Sequence, residues 1–317
     1  MIYQWLIYFW SFFESFVRPL MKWAIHRITG RCELLRLTID LPKGAARTCA
    51  VEQSIKRSKC VQIRKLVISE NSENLSRSIE SVMKLKQINP LVYPESVSFL
   101  FLNTYVRFSE AFAYCLRQIH AYRLLIHEVD SIKSITFDVN NEHHRWLLQQ
   151  LWNNSGLVED SVSGSPQWTR LGFQTNNPET DFRGMGLLSL ENLTYFSSKH
   201  TELFKSMLLA SSHPRHWYPF AVVGIHVTEM LYNLLVNEHL KKQFYNVSKT
   251  CTFADFQKLF SFIFHSFHEY WMKGDRNIMF FNLYREQFRL RLESRLSHDD
   301  CRLGFTDSNG DVSFFDP

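Results

Sequence analysis

Arg183 is the side chain in this sequence best placed to act on another molecule. It follows Asp181 and precedes Gly184 and Gly186, at the point where a loop gives way to a run of apolar residues. A guanidinium group can bind phosphate oxygens through two parallel hydrogen bonds, and glycines let the backbone of another surface approach closely. Arg183 could instead pair with Asp181 or cap loop carbonyl groups. On residue types alone, that local pairing is the simpler interpretation.

The residues on either side of Arg183 predict a rigid support for it. Asn176, Asn177 and Pro178 favour a reversal of the chain before the arginine. Apolar residues then recur at helical spacing, at Leu187, Leu190, Leu193 and Phe196. The pattern therefore predicts a turn, an exposed arginine and the start of a helix, in that order.

A long motif surrounds the arginine: W-x3-GFQ-x3-P-x-TDFRGMG runs from Trp168 to Gly186. Its order and spacing resemble the signature of the ELMO domain, and more closely that of the short ELMO-domain-containing proteins. These proteins act as GTPase-activating proteins for Arf-family and Arf-like small GTPases, and Arg183 matches the arginine credited with activation. The motif residues expected to support partner binding are Trp168, Gly172, Phe173, Gln174, Pro178, Thr180, Asp181, Phe182, Gly184, Met185 and Gly186.

The resemblance implies that the chain is a regulator, not an enzyme, and that it completes the active site of a GTP-bound GTPase. An arginine supplied in trans would neutralise the charge that builds on the phosphoryl oxygens, and such arginines accelerate hydrolysis by about 10³–10⁵-fold. No cofactor is expected in this chain, because GTP and magnesium belong to the partner. The sequence leaves open whether Arg183 inserts directly, orders the GTPase's own glutamine or docks on its switch regions.

A non-catalytic role is the alternative. The chain could be an ELMO-type scaffold or a membrane-tethered binding module in GTPase signalling, for engulfment, the cytoskeleton or trafficking. It lacks the length for the repeat and membrane-binding domains of the larger ELMO proteins, which argues against the scaffold. The two hypotheses differ at Arg183, because a binding module should tolerate its loss far better.

Other chemistry has little support in the sequence. Three histidine pairs suggest metal binding, at His143 and His144, His213 and His216, and His265 and His268. No pair has carboxylates or cysteines at ligand spacing, so no metal site is expected. Phosphate-binding and hydrolase motifs are absent from the sequence. The net charge of +5 is too small for a nucleic-acid-binding protein.

The first 28 residues form a hydrophobic segment that predicts membrane contact. Charged residues and Pro19 arrive before about 20 apolar residues have accumulated, so a complete membrane span is not expected. An interfacial helix fits better, and the residues expected at the membrane are Trp5, Phe9, Phe12, Phe16, Arg18 and Lys22. The alternative is a helix buried on the domain core. With six scattered cysteines, the expected location is the cytoplasm, at a membrane surface.

Apolar periodicity predicts an all-α fold with a single compact multi-helix ELMO domain. The hydrophobic N-terminal helix, residues 1–28, precedes a basic linker with loops, residues 29–73. The all-helical ELMO domain covers residues 74–296, and residues 297–317 are expected to be a flexible polar tail. Helical patterns lie at 75–85, 112–129, 146–152, 187–196, 204–209, 219–235, 256–271 and 280–296.

Overall fold

The computed structural model describes residues 17, 19–68, 75–86, 98–158, 166–247 and 250–305. Within these ranges the chain consists of α-helices and short 3₁₀ helices joined by loops, and it contains no β-strand. The predicted all-α class is therefore confirmed for the described residues. The chain divides into two compact units, Met1–His120 and Ala121–Pro317.

The first unit contains helices where the sequence predicts a linker and loops. Its helices are α1 (residues 19–29), α2 (Glu33–Asp40), α3 (Ala45–Lys56), α4 (Val61–Ile68), α5 (Leu75–Leu85) and the first part of α6 (Ser98–Ser134). The prediction of loops is wrong for α2, α3 and α4. The boundaries predicted at residues 28, 73 and 296 stay predictions.

Buried polar residues make the helical pattern of α3 weak in the sequence. Thr48, Glu52 and Ser54 are among the buried residues of this helix, so no continuous apolar stripe is visible in the sequence. Buried polar groups need hydrogen-bond partners. The Thr48 hydroxyl donates to Gln118 Oε1 at 2.6 Å, and the Ser54 hydroxyl donates to Glu33 Oε2 at 2.7 Å.

The second unit is built around α8. Its helices are the remainder of α6, α7 (Glu142–Ser155), α8 (Gly186–Lys199), α9 (Thr201–Ser211), α10 (Phe220–Val236), α11 (Lys241–Val247), α12 (Phe253–Met272) and α13 (Phe281–Leu296). Helices α7, α9, α10 and α12 all contact α8. A Cβ atom added to Gly224 in α10 would lie 2.6 Å from Leu193 Cδ2, so this glycine permits the close approach of α10 to α8.

Aromatic side chains fill the space between these helices. Phe220 packs on Phe264 with ring centroids 4.9 Å apart and on Phe204 at 5.2 Å, and Phe196 contacts both Phe204 and Phe264. All four rings are fully buried. Because each ring contacts two others, the helices that carry them form a rigid support for the loops at their ends.

Residues 299–305 differ from the predicted flexible tail. The side-chain amide of Gln243 donates to the Leu303 carbonyl oxygen at 2.8 Å and accepts from the Leu303 N–H at 2.6 Å. Cys301 and Leu303 are buried, and the Phe305 ring packs against His200 at 4.7 Å. The tail prediction is therefore wrong up to Phe305, because Cys301 and Leu303 find buried positions. Residues 306–317 lie outside the described residues.

Candidate site around Arg183

Two short 3₁₀ helices, Trp168–Leu171 and Pro178–Arg183, build the motif. The side chain of Asn177 caps the second of them by accepting a hydrogen bond from the Glu179 N–H at 3.2 Å. Pro178 takes the first position, where its missing N–H leaves no helical bond unmade. Arg183 is the last residue of this turn, immediately before the two-residue connection to α8.

A chain of packed aromatic rings holds the motif in place. The contacts, given as distances between ring centroids, are Trp152–Trp168 at 5.3 Å, Trp168–Phe173 at 5.9 Å, Phe173–Phe182 at 5.5 Å and Phe182–Phe137 at 5.2 Å. Phe182 exposes only 1% of its surface. Since Phe182 is fixed from two sides, the backbone of its neighbour Arg183 is fixed with it.

The side chain of Arg183 extends into solvent. The residue is exposed, and within the part of the chain that the structure describes it makes no hydrogen bond or ion pair. Asp181, the expected local partner, instead accepts a hydrogen bond from the Gln174 N–H at 2.9 Å. The simpler interpretation, in which Arg183 pairs with Asp181, therefore does not describe this structure.

The environment of Asp181 is that of a structural carboxylate. Burial raises the pKa of Asp181 above its ordinary value, and the hydrogen bond from the Gln174 N–H opposes that rise. This hydrogen bond ties the turn that carries Arg183 to the preceding loop. Asp181 thus stabilises the position of the arginine backbone and leaves the guanidinium group available.

Two of the motif glycines are required by the packing. Gly172 has φ +89° and Gly186 has φ +52°, which disfavour any residue with a side chain. A Cβ atom would lie 2.2 Å from Phe220 N at Gly172 and 2.2 Å from the Lys133 carbonyl oxygen at Gly186. Gly184 is different: its backbone is α-helical, and a Cβ atom there would meet nothing within 4 Å.

The other motif residues divide between buried supports and exposed turn residues. Pro178 and Met185 are buried, whereas Gln174 is exposed and takes part through its backbone N–H. The Thr180 hydroxyl donates to the Asn177 carbonyl oxygen at 3.1 Å. These side chains shape the turn, from which the exposed Arg183 side chain extends.

Sequence reasoning missed the loop at residues 135–141, which adjoins the motif. Its Ile135 carbonyl oxygen accepts a hydrogen bond from the Leu187 N–H at 2.9 Å, and its Phe137 ring packs on Phe182. Apolar and polar residues alternate from Ile135 through Phe137 to Val139. This alternation covers only five residues, which is too short to indicate an element or a site.

The predicted membrane segment is described only in part. Trp5, Phe9, Phe12, Phe16 and Arg18 lie outside the described residues. Lys22 forms an ion pair with Glu33 at 2.6 Å.

The described part of α1 exposes four large apolar side chains. Trp23 is 65% exposed and Ile28 is 83% exposed, and Leu20 and Met21 are also exposed. A helix buried on the domain core does not fit residues 19–29. Within the described ranges no single helix is both long enough and apolar enough to cross a bilayer. Helices α10 and α11 meet these two requirements only when taken together, and they are separated by a bend of 86°.

The histidine pairs occupy separate environments. His143 lies 3.5 Å from Glu191, His213 stacks on His216, and His268 shares a 2.8 Å hydrogen bond with the Tyr218 hydroxyl. Among the described residues, no three His, Cys, Asp or Glu side chains are grouped as a metal site requires.

Comparison with known proteins identifies the family of this chain. The model of the ELMO/CED-12 family matches residues 127–285, which include the entire motif and the 135–141 loop. The chain is 35% identical to the ELMO domain-containing protein 1 of Mus musculus, over 96% of this chain and 94% of that protein. It is 36% identical to the ELMO domain-containing protein 2 of Homo sapiens, over 94% of this chain and 97% of that protein.

A more distant relative shows the same relationship. The ELMO domain-containing protein B of Dictyostelium discoideum is 31% identical over 87% of this chain and 94% of its own length. The chain therefore belongs to the ELMO/CED-12 family, and the family resemblance seen in the motif extends over nearly its whole length.

Proposed function

We propose that this chain activates GTP hydrolysis by an Arf-family or Arf-like small GTPase, with Arg183 as the group supplied in trans. The observation that carries the proposal is the exposed arginine on a rigidly packed turn, with no partner among the described residues. A guanidinium group held in this way is free to enter a site on another protein. Membership of the ELMO/CED-12 family supports the assignment of that site to a GTPase.

Preorganisation is the physical basis of the activity. Charge develops on the phosphoryl oxygens in the transition state, and a donor already fixed in position stabilises it without reorganisation. Phe182 and Asp181 fix the backbone on one side of Arg183. On the other side, the Leu187 N–H in the first turn of α8 donates a hydrogen bond to the Ile135 carbonyl oxygen at 2.9 Å. Only the side chain of Arg183 has to become ordered when the partner binds.

Membrane association through the N-terminal helix is part of the same proposal. The exposed apolar residues of α1 are accompanied by the basic residues Lys22 and Arg27 on the same helix, and Arg31 follows its end. Apolar and basic side chains on one helix suit an interface with anionic lipid headgroups. A peripheral position on a cytoplasmic membrane surface would concentrate the chain where a lipid-bound GTPase acts.

Single-turnover GTP hydrolysis tests the proposal. A panel of Arf and Arf-like GTPases, loaded with GTP on anionic liposomes, is mixed with the full-length chain or with Arg183→Ala. Arg215→Ala is the matched control, because Arg215 is also an exposed arginine of the second unit. We expect the chain and the control to accelerate at least one GTPase and Arg183→Ala to have no effect.

The scaffold alternative makes a different prediction for the same panel. If a GTPase binds the folded chain in its GTP-bound form but hydrolysis is not accelerated, the chain is a binding module. Arg183 would then be a docking residue. Its loss would change the affinity for the GTP-bound GTPase and leave the rate of GTP hydrolysis unchanged.

A further inference from the structure

Two exposed apolar side chains flank the motif, on the loop that adjoins it. Ile135 is 44% exposed and Val139 is 51% exposed. Each lies two residues from Phe137, whose buried ring packs 5.2 Å from the Phe182 ring. Because consecutive Cα atoms are about 3.8 Å apart, both residues lie within about 8 Å of the Phe137 Cα atom, and Phe182 precedes Arg183 directly.

The loop that carries these side chains is anchored throughout. The Asp138 N–H donates to His144 Nδ1 at 3.0 Å, and the Asn140 N–H donates to Asp138 Oδ1 at 2.8 Å. Asn141 then caps α7 by accepting from the His143 N–H at 2.9 Å. With Phe137 buried below, the backbone is not free to turn Ile135 and Val139 inward. Their exposure is therefore a fixed property of the fold.

We infer that Ile135 and Val139, with Gly184, form the docking surface on which the partner GTPase rests while Arg183 reaches its phosphates. We call these three residues the docking rim. The inference rests on the proposed function, since the occupant is the GTP-bound GTPase. It adds the surface that determines affinity, as distinct from the arginine that determines rate.

The chemistry of the docking rim favours this occupant. Energetically important interface residues combine a central arginine or aromatic anchor with surrounding contacts that exclude water. Excluding water strengthens the interaction of the guanidinium group with phosphate oxygens. Gly184 has open space where a Cβ atom would stand, so a partner backbone can approach beside the arginine. The rim thus suits a protein that presents an anionic group within an apolar surface.

The experiment separates affinity from rate. The rate of single-turnover GTP hydrolysis is measured against the concentration of the chain, for the wild type and for the double variant Ile135→Asp, Val139→Asp. Leu209→Asp is the matched control, because Leu209 is an exposed apolar residue of the same unit, on α9. The milder pair Ile135→Ser, Val139→Ser replaces the double variant if circular dichroism shows that the aspartates disturb folding.

We expect the double variant to raise the half-maximal concentration about tenfold or more, with a saturating rate within about twofold of wild type. Leu209→Asp should leave both values unchanged. An unchanged half-maximal concentration in a folded double variant overturns the inference, even if Arg183→Ala abolishes hydrolysis.

A direct measurement of GTPase binding tests the docking rim separately from the proposed activation of hydrolysis. If no GTPase is accelerated, binding of the GTP-loaded form is measured by titration with the same variants. Weaker binding by the double variant then supports the docking rim although the activating role has failed. Binding that is equal for the wild type and the variant, or no binding by the wild type, overturns it.

Discussion

The carbonyl oxygen of Gly172 accepts a hydrogen bond from the Val222 N–H at 3.2 Å, which joins the arginine-bearing motif to the first turn of α10. The approach is so close that a Cβ atom on Gly172 would lie 2.2 Å from Phe220 N. Phe173, the next residue, then packs on Phe182. This contact links the helical core to the turn that presents Arg183.

Gly172→Ala should lower the free energy of unfolding by about 2 kcal/mol or more, because it combines backbone strain at φ +89° with a clash against backbone atoms. Gly184→Ala should change it by less than about 1 kcal/mol, since the added methyl group meets open space. Urea denaturation of both variants measures the difference. Equal effects at the two glycines would contradict this description of the motif.

His268 should make the protein less stable as the pH falls. Burial, with a smaller contribution from His265, lowers the pKa of His268 from 6.5 to about 4. The unfolded chain therefore binds more protons than the folded chain between these values, so stability is lost as the pH falls through that window. The loss from this group reaches about 3 kcal/mol at the acidic end.

Urea unfolding at pH 7.5 and pH 5 measures this effect. His268→Gln should reduce the difference in unfolding free energy between the two pH values, because it removes the titrating group. His127→Gln is the control, since His127 is exposed on α6. If His268→Gln leaves the pH dependence unchanged, the destabilisation comes from other groups.

The sequence was most informative where apolar periodicity and motif spacing are strong. The helices α8, α10, α12 and α13 follow apolar patterns visible in the sequence, and the motif places Arg183 in an exposed turn before a helix. These features are local, so residue order alone specifies them. The family could be predicted for the same reason, because its motif is a local run of residues from Trp168 to Gly186.

Features that depend on tertiary packing were not visible. In α3 the buried residues Thr48 and Ser54 are polar, and only their partners elsewhere in the first unit explain their burial. Helix α6 begins at Ser98, well before the predicted start at Phe112. The contact of Phe137 with Phe182 joins residues 45 positions apart, and sequence spacing does not predict such a contact.

Gln243 should be required for the docking of residues 299–305. Its side chain makes two hydrogen bonds with the backbone of Leu303, so Gln243→Ala leaves both Leu303 groups without their partner. We expect a loss of about 1–3 kcal/mol and faster amide exchange at Leu303, measured by hydrogen–deuterium exchange. Lys242→Ala removes a partly exposed ion pair with Asp299 and a hydrogen bond to the Ser297 carbonyl oxygen and should cost about 1 kcal/mol, but it leaves both Leu303 hydrogen bonds in place. Equal exchange at Leu303 in the two variants would refute this role.

The exposed apolar side chains of α1 should bind lipid. Trp23→Ser with Ile28→Ser should lower partitioning onto anionic vesicles about tenfold or more, because two large apolar side chains no longer enter the interface. Val61→Ser is the control, since Val61 is an exposed apolar residue on α4. Vesicle sedimentation gives both values, and equal partitioning of the variant and the wild type would exclude α1 as the lipid contact.

The most direct test of the central claim compares lysine with alanine at Arg183. Lysine keeps the positive charge but cannot bind two phosphate oxygens in parallel. At saturating concentrations, with the responsive GTPase on liposomes, we predict that Arg183→Lys and Arg183→Ala both lose about 10³-fold or more of the single-turnover acceleration. Hydrolysis close to the wild-type rate with either variant would contradict an arginine supplied in trans.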